Sequence, residues 1–507
     1  MDSSQDMAAE YGERNGCSTT KKRIQFNPDI LIIMENNNSK WMALLVILTA
    51  PLLYVIDIFI INMAIPGIKK GVHATDGEVQ LVIAGYLLGS ASFLITGGRA
   101  GDYLGRKKVF FWGMFFFTLT SCLCGLSQTA LELNITRFFQ GLSSSFMVPQ
   151  SIAFIQVLFT NPSERAKAIG WYGITLSIAA IIGQILGGYL VDTHFFIEGW
   201  RLIFFINLPV GILALWAIHR YLKETPRDTR QRFDYTGALM LTTGLVCLIY
   251  PLTKGREMGW PLWSMGLMLL SLFIFAYFLR NQQMKVRLHK GSLIDTALFK
   301  IREFNIGLLA VLFHFMMHTA FLLMSAIYLQ NGLGFSALDC GIAFILHAVL
   351  FMISSMLASR LIVRFGKWVL QAGLLIILIS FLLQIWLFQP SVSPFCVTLL
   401  IGIYGLGNGL VLPFLLNIAL NSVPVKFAGV AAGVFSTFQQ TASALGITIL
   451  GGVFYYVVSQ HATSPNYLKA FNTGLAVSII CLGIVGIMLW MLPPTMEPKA
   501  VLQPEGI

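Results

Sequence analysis

Fourteen apolar stretches alternate with short polar ones along the chain. They run roughly over Trp41–Ile65, Val79–Gly97, Val109–Ser127, Leu131–Leu158, Ala168–Val191, Leu202–Leu222, Thr236–Thr253, Pro261–Leu279, Phe304–Leu329, Ala337–Ala358, Trp368–Phe388, Phe395–Asn417, Phe427–Val457 and Ala470–Met491. Each is continuously apolar over about 18 residues or more, the length a helix needs to cross the hydrocarbon core. Lipid offers no water to a peptide group, so helices that close their own hydrogen bonds are expected. The alternating pattern of a membrane barrel is missing from these stretches. The pattern predicts an all-α polytopic membrane protein with fourteen spans.

Composition agrees. Of 507 residues, 56% are hydrophobic and 11% charged, and the mean hydropathy is +0.74. A soluble domain carries about 25% charged residues, so this chain cannot clothe a water-facing surface. A net charge of +11 would suggest nucleic acid in a soluble protein. Here the loops explain it. With the N-terminus inside, 27 of the 34 basic residues fall in cytoplasmic segments, 6 in outer ones, and Arg137 within a span. The positive-inside rule then puts both termini in the cytoplasm of a cell (inner or plasma) membrane. The polar first forty residues predict a cytoplasmic tail without a cleavable signal. Seven cysteines without a CxxC pair are expected to be small apolar fillers.

The basic linkers Lys223–Tyr235 and Arg280–Glu303 divide the spans six, two and six. The expected organisation is a tail (1–40), a six-helix bundle (41–222), a linker holding spans 7 and 8 (223–303), a second six-helix bundle (304–492) and a tail (493–507). A short repeat supports the division. Gly98-Arg-Ala-Gly-Asp-Tyr-Leu-Gly-Arg-Lys-Lys108 follows span 2, and Ser359-Arg-Leu-Ile-Val-Arg-Phe-Gly-Lys-Trp368 follows span 10. Their glycine and basic positions coincide, while Asp102 falls opposite Val363.

Ionisable groups at membrane depth are costly and draw attention first. Asp57 in span 1 and Arg137 in span 4 both lie about 10–14 Å below the outer surface, at about 1.5 Å per residue. Two readings are open: a structural ion pair, or a pair that protonation of Asp57 loosens. Gly183, Gly187 and Gly188 predict one close-packed face on span 5. Gly405, Gly407 and Gly409 before Pro413 predict a pliable span 12. His314 and His318 share a face of span 9, and His347 sits in span 10. Satisfied interior histidines, a proton or substrate contact, and a metal site are weighed in that order. Asn408, Asn417, Asn421, Gln439 and Gln440 bring amides to the second half. With 13% aromatic residues, they suggest a midplane cavity for a greasy, weakly polar ligand. Asn62, His314, His318, Asn408, Gln439 and Gln440 are its candidate contacts.

These residues resemble the major facilitator superfamily, in its fourteen-span drug:proton antiporter branch. Gly98-x-Ala-Gly-Asp102-Tyr-x-Gly105-Arg106-Lys107-Lys108 resembles the signature loop after span 2. Arg137-Phe-Phe-Gln140-Gly141 resembles the R-x-x-Q-G signature of span 4. Ile56-Asp57-Ile-Phe59-Ile-Ile-Asn62-Met-Ala64-Ile-Pro66 resembles the span 1 signature of the branch. Trp200-Arg201-Leu-Ile-Phe204-Phe-Ile206-Asn207-Leu-Pro209-Val-Gly211, Phe233-Asp234-Tyr-Thr-Gly237 and Tyr328-Leu329-Gln330 match the branch too. The resemblance implies two six-helix bundles rocking about a central cavity, with Asp57 and Arg137 in the proton-coupling region. It also implies that Asp102 and its basic neighbours act as a cytoplasmic latch for one conformation, the carboxylate meeting a helix end of the other bundle.

Departures matter. Tyr103 replaces the usual Arg after the latch carboxylate, and Phe59 the usual Thr after Asp57. Gly183-Gln184-Ile-Leu-Gly187-Gly188 replaces the span 5 pattern G-P-x-x-G-G, with an amide where the proline kink belongs. The resulting expectation is proton-coupled efflux of hydrophobic or amphipathic compounds. Uptake, or export of one dedicated metabolite or siderophore, stays open. No catalytic motif or nucleotide loop appears, so an enzyme is not expected. The expected partners are a small-molecule substrate, protons and the bilayer, with no cofactor, metal or nucleic acid, for a monomer.

Overall fold

The computed structural model describes residues 37–193, 197–225, 234–288, 290–421, 423–424, 428–460 and 464–492. Both expected tails fall almost wholly outside the described residues. Among the described residues, fourteen helical crossings are long and apolar enough to span a membrane. The first six are α1 (Asn37–Gly71), α2 (Asp76–Leu104), α3 (Arg106–Leu126), α4 (Ala130–Leu158), α5 (Pro162–Asp192), and α6 (Gly199–Phe205) continued by α7 (Asn207–Tyr221). A hairpin of α8 (Tyr235–Glu257) and α9 (Leu262–Arg287) follows. After a 3-10 turn at Thr296–Lys300 come α10 (Arg302–Ile327), α11 (Ala337–Ala343) continued by α12 (Ile345–Phe365), α13 (Trp368–Leu387), α14 (Pro394–Asn421), α15 (Ala428–Gln460) and α16 (Ser464–Trp490).

Local chemistry fixes the ends. Thr75 caps α2 in a reciprocal box with Glu78. Asn161 caps α5, with Pro162 in the first turn. α2 ends at Gly105 with φ +97°, and α12 ends at Gly366 with φ +55°. Both values favour glycine. They are the two glycines of the short repeat, so the repeat is one turn geometry used twice.

Close packing within each bundle also repeats. A Cβ at Gly141 of α4 would strike the backbone of Tyr86 on α2. A Cβ at Gly405 of α14 would strike the backbone of His347 on α12. Gly409 abuts Phe351 in the same way, and Gly407 faces Gly373 and Ile377 of α13. These contacts correct the pliable reading of span 12. Its glycines are occupied by neighbouring backbone, and α14 runs unbroken through Pro413.

The bundles meet along two seams. α2 packs on α15, with Ile95 against Gly433 and the Thr437 hydroxyl donating to the Ala91 carbonyl at 3.3 Å. α5 meets α11 at one end only. Gly188 lies against Ala337 and Leu338, Gly341 against the Gln184 carbonyl, and Leu338 N–H donates to Asp192 at 2.8 Å. The other half of α5 stands clear: Gly170 and Gly173 have nothing within 4 Å of a Cβ position, and Ile169, Trp171 and Ile174 are exposed. Along the α5 seam the bundles therefore part toward the basic side, where the Gly98–Lys108 loop lies, and touch on the opposite side. The single glycine face expected on span 5 is two faces: Gly183 and Gly187 pack on Ile56 and Ile60 of α1, whereas Gly188 faces the other bundle.

Candidate functional site

Asp57 and Arg137 form a wholly buried ion pair, Oδ2 to Nη1 at 2.5 Å, each 1% exposed. The close approach of α2 and α4 allows it, because Arg137 reaches past α2 to α1. Gln140, one turn on, accepts from Arg137 Nη1 at 2.8 Å and donates its amide to Asp57 Oδ1 at 2.9 Å. Arg137 Nε donates to the Val82 carbonyl at 3.1 Å. Its guanidinium lies 4.3 Å from the Tyr86 ring centroid and 5.7 Å from that of Phe204. Such charge-assisted bonds offset desolvation only when geometry is good and the remaining lone pairs are filled. Here Asp57 accepts from Arg137, Gln140 and Asn207.

Asn207 was only part of a matched stretch in the sequence, without a role. Its amide donates to Asp57 at 3.4 Å and to Ser121 at 2.9 Å, and Ser121 donates to the Phe204 carbonyl. Asn207 starts α7, directly after the break at Ile206. The Trp200–Gly211 stretch thus holds one side of the acid. Arg201 secures it by donating to the Gly125 and Ser127 carbonyls and to Glu198.

A second polar cluster fills the interior of the last six crossings. His314 Nε2 lies 2.8 Å from Asn408 Oδ1, and His318 Nδ1 lies 2.7 Å from the Tyr404 hydroxyl. Asn408 Nδ2 stands 3.3 Å from His318 Nδ1. His347 stacks on Tyr404, with centroids 5.6 Å apart and planes 14° apart. All five side chains are buried. Three of the expected substrate contacts, His314, His318 and Asn408, therefore lie in one closed network. Asn62 bonds back to Ile58 in its own helix. Gln439 is half-buried on α15. Gln440 meets the Tyr54 hydroxyl of α1, across the bundles. Among the described residues no group of three His, Cys, Asp or Glu is placed to hold a metal ion.

In this conformation the basic loop bonds within its own bundle. Asp102 bonds Arg106 of its own loop at 2.9 Å, and Arg106 also donates to the Ala153 carbonyl. Residues 425–427, just before α15, lie outside the described residues, and no contact from Asp102 to the second bundle is present among the rest. Glu224, not singled out in the sequence, accepts from the Lys107 and Lys108 N–H groups at 3.0 and 3.2 Å. It thereby supplies the anion that the start of α3 favours. In the matching stretch at 233–237, Asp234 caps α8, taking the Gly237 N–H at 2.7 Å, and also binds Gln282, Lys285 and Leu293 N–H. Burial pushes its pKa up, but the Lys285 and Gln282 bonds outweigh that and hold it below the usual carboxylate range.

A cavity of about 490 Å³ lies beside the second bundle, between the α8–α9 hairpin, α10 and α15. Leu245, Phe275, Phe278, Phe438 and Leu445 make it apolar, and Thr437 and Thr441 add hydroxyls. It is lateral and greasy, and distinct from the midplane cavity, lined by aromatics with a few amides, that the sequence suggests.

Two helical bundles, wedged open on one side and closed on the other around buried charges, are the architecture of an alternating-access membrane transporter. Residues 47–447 match the family model of the Major Facilitator Superfamily, and the chain belongs to that superfamily. It is 32% identical to the probable actinorhodin transporter of Streptomyces coelicolor over 84% of this chain and 74% of that protein. It is 30% identical to the puromycin resistance protein pur8 of Streptomyces alboniger, over 89% and 91%. The fold matches a bacterial homolog of the human lysosomal transporter Spinster, in an inward-facing and unoccupied conformation, with a TM-score of 0.63 at 15% identity over 90% and 97%. It also matches a D-xylose-proton symporter, with a TM-score of 0.61 at 14% identity over 91% and 99%.

Proposed function

We propose that this multi-pass membrane protein exports hydrophobic or amphipathic compounds in exchange for protons, by rocking its two bundles. The observation that carries the reading is the connection from Asp57 to the opposite bundle. Arg137 lies on the Tyr86 ring, Tyr86 stacks on Tyr54 at 6.0 Å, and the Tyr54 hydroxyl meets Gln440 of α15. Protonation of Asp57 removes the charge that balances Arg137. An uncompensated buried guanidinium costs several kcal/mol, so the cage rearranges and Tyr86 with it. The contact to α15 is then remade, which biases the seam between bundles. Outward direction is supported by relatives named for resistance and export. The apolar cavity suits such cargo. In this reading the termini and the basic side face the cytoplasm, the working unit is a monomer, and the proton gradient replaces any cofactor.

The test is growth of an efflux-deficient bacterial host carrying the gene on a compound panel that includes puromycin and ethidium. The wild type is expected to raise resistance to at least one compound. Asp57→Asn is expected to abolish that gain, and to abolish pH-driven movement of the same compound in proteoliposomes. Proton-driven transport that survives Asp57→Asn overturns the mechanism.

A further inference from the structure

We propose that the histidine cluster of the second bundle is a second proton-binding site, built where the first bundle keeps its acid–base pair. The inference rests on the proton-coupled reading above and adds a site to it. The packing glycines set the correspondence. Gly141 of α4 sits on the Tyr86 backbone, and Gly405 of α14 sits on the His347 backbone. Gly183 of α5 sits on Ile56 of α1, and Gly446 of α15 sits on Met316 of α10. His347 therefore stands where Tyr86 stands. His314 and His318 flank Met317, which holds the level of Asp57. Tyr404 holds the level of Gln140. The glycine repeat gives the same register independently, because Tyr86 precedes Gly105 by as many residues as His347 precedes Gly366.

The cluster has the chemistry of a proton site. His318 and His347 lie 6.4 Å apart and both stack on the Tyr404 ring, at 6.0 and 5.6 Å. An imidazolium there gains the face of an aromatic ring. His347 is 4% exposed, and neither of its ring nitrogens has a hydrogen-bond partner among the described residues; His314 Nδ1 also lacks one. A buried polar ring that leaves both nitrogens unused is uncommon unless something else uses them. Three imidazoles this close titrate as one coupled group, so a proton on one ring opposes a second on its neighbours.

Among the described residues no counter-ion occupies the site. Tyr404 of α14 is the titratable side chain that touches the histidines. The other ionisable groups on the surrounding elements stand apart: Glu303 and Arg302 begin α10, Asp339 lies in α11, Arg360 and Arg364 end α12, Lys469 begins α16, and Tyr455 and Tyr467 lie toward the closed side. Asp57 and Tyr54 of α1 belong to the first cage. A proton bound here lacks the partner that Asp57 has, so it needs water.

The closed seam supplies that control. Phe344 joins α11 to α12 and lies edge-on to His347 at 6.1 Å, while α11 is the element held against Gln184 and Gly188 of α5. When that seam opens, α11 and Phe344 move and His347 is uncovered. With the seam closed, as here, the cluster is buried, and in this proposal it is uncharged. A proton loaded from the opposite side would thus leave before the wedge opens to the basic side.

The experiment counts imidazolium directly and needs no transported compound. Full-length protein with ring-labelled histidine, in nanodiscs, is stepped from about pH 8 to about pH 5, bracketing the ordinary imidazole range, and followed by infrared difference and side-chain magnetic resonance spectra. Beyond the signals of His73, His194, His219, His289 and His461, the wild type is expected to gain one imidazolium per molecule. His347→Gln is expected to lose it, while Asp57→Asn keeps it. If His347→Gln does not fold, Tyr404→Phe retains the ring and removes the hydroxyl on His318, and is expected to move the midpoint of that single proton. A wild type whose cluster stays neutral across the range, or a Tyr404→Phe titration identical to the wild type, overturns the proposal. Failure of the proton-coupled reading looks different: Asp57→Asn would keep pH-driven transport whether or not the histidine signal is present.

Discussion

The two six-helix halves solve one packing problem with opposite electrostatics. In each, a glycine on the fourth helix lets it press on the second, and polar side chains from the first, second and fourth helices meet in the middle. The first half fills that meeting point with a full charge pair and two amide donors to its carboxylate, Gln140 and Asn207. The second fills it with neutral rings and an amide. A charge pair is stiff, because separating it leaves a buried ion. A neutral cluster costs less to rearrange. The same scaffold therefore carries one fixed polar centre and one that changes state more easily.

The largest effect that would break this contrast is in the first half. Arg137→Ala leaves Asp57 buried and unpaired and is expected to cost about 3–5 kcal/mol of stability, read as a lowered Tm of the purified protein. His318→Leu, in the second half, leaves the Tyr404 hydroxyl without its hydrogen-bond partner and is expected to cost about 1–3 kcal/mol. Equal losses in the two variants would remove the contrast. Gly141→Val and Gly405→Val sharpen it from the other direction. Both force a side chain into backbone, and both are expected to cost about 1–3 kcal/mol. A penalty at only one of them would contradict the mirrored packing.

The linking hairpin gives a smaller and pH-dependent effect. Asp234 is held below the usual carboxylate range, so its contribution is present above about pH 4 and is lost as pH falls through its own depressed pKa. Asp234→Asn is expected to lower thermal stability at neutral pH by the equivalent of about 1–2 kcal/mol. It should also flatten the acid limb of the Tm-against-pH curve. The smallest effect is at the opposite end of α8, where Lys254 pairs with Glu78 and Glu257 near the surface. Lys254→Ala is expected to cost less than about 1 kcal/mol, and less still in high salt.

Much of this was legible beforehand. The fourteen crossings follow from uninterrupted apolar length, which few other elements imitate. Asp57 and Arg137 stood out because charges are rare at that depth, and equal depth suggested their pairing. Gln140 came with the family resemblance, and the two glycine loops with the short internal repeat. Asn207 and Glu224 escaped because an amide or a loop acid has no periodicity, and only the break at Ile206 and the turn after α7 bring them into place. The glycines of span 12 misled, since spacing cannot say whether a glycine frees a helix or admits a neighbour. Gly188 misled for a related reason: it is one residue from Gly187, and that rotation is enough to face the other bundle. The polar network of the second half was half visible, with His314 and His318 on one face of span 9, but their partnership with Asn408, Tyr404 and His347 depends on α10, α12 and α14 touching.

The hairpin of α8 and α9 carries a consequence for ancestry. An insertion between two halves of a membrane protein must respect parity. A single added helix would deliver the second half upside down, and its first helix would start on the wrong face of the bilayer. Two helices return the chain to the side it left, so the second half keeps the orientation of the first. The α8–α9 pair could thus be gained by an existing twelve-helix machine without disturbing either half. Because two helices and not one separate the halves, the matching seats of Tyr86 and His347 stand in bundles of the same orientation in the membrane.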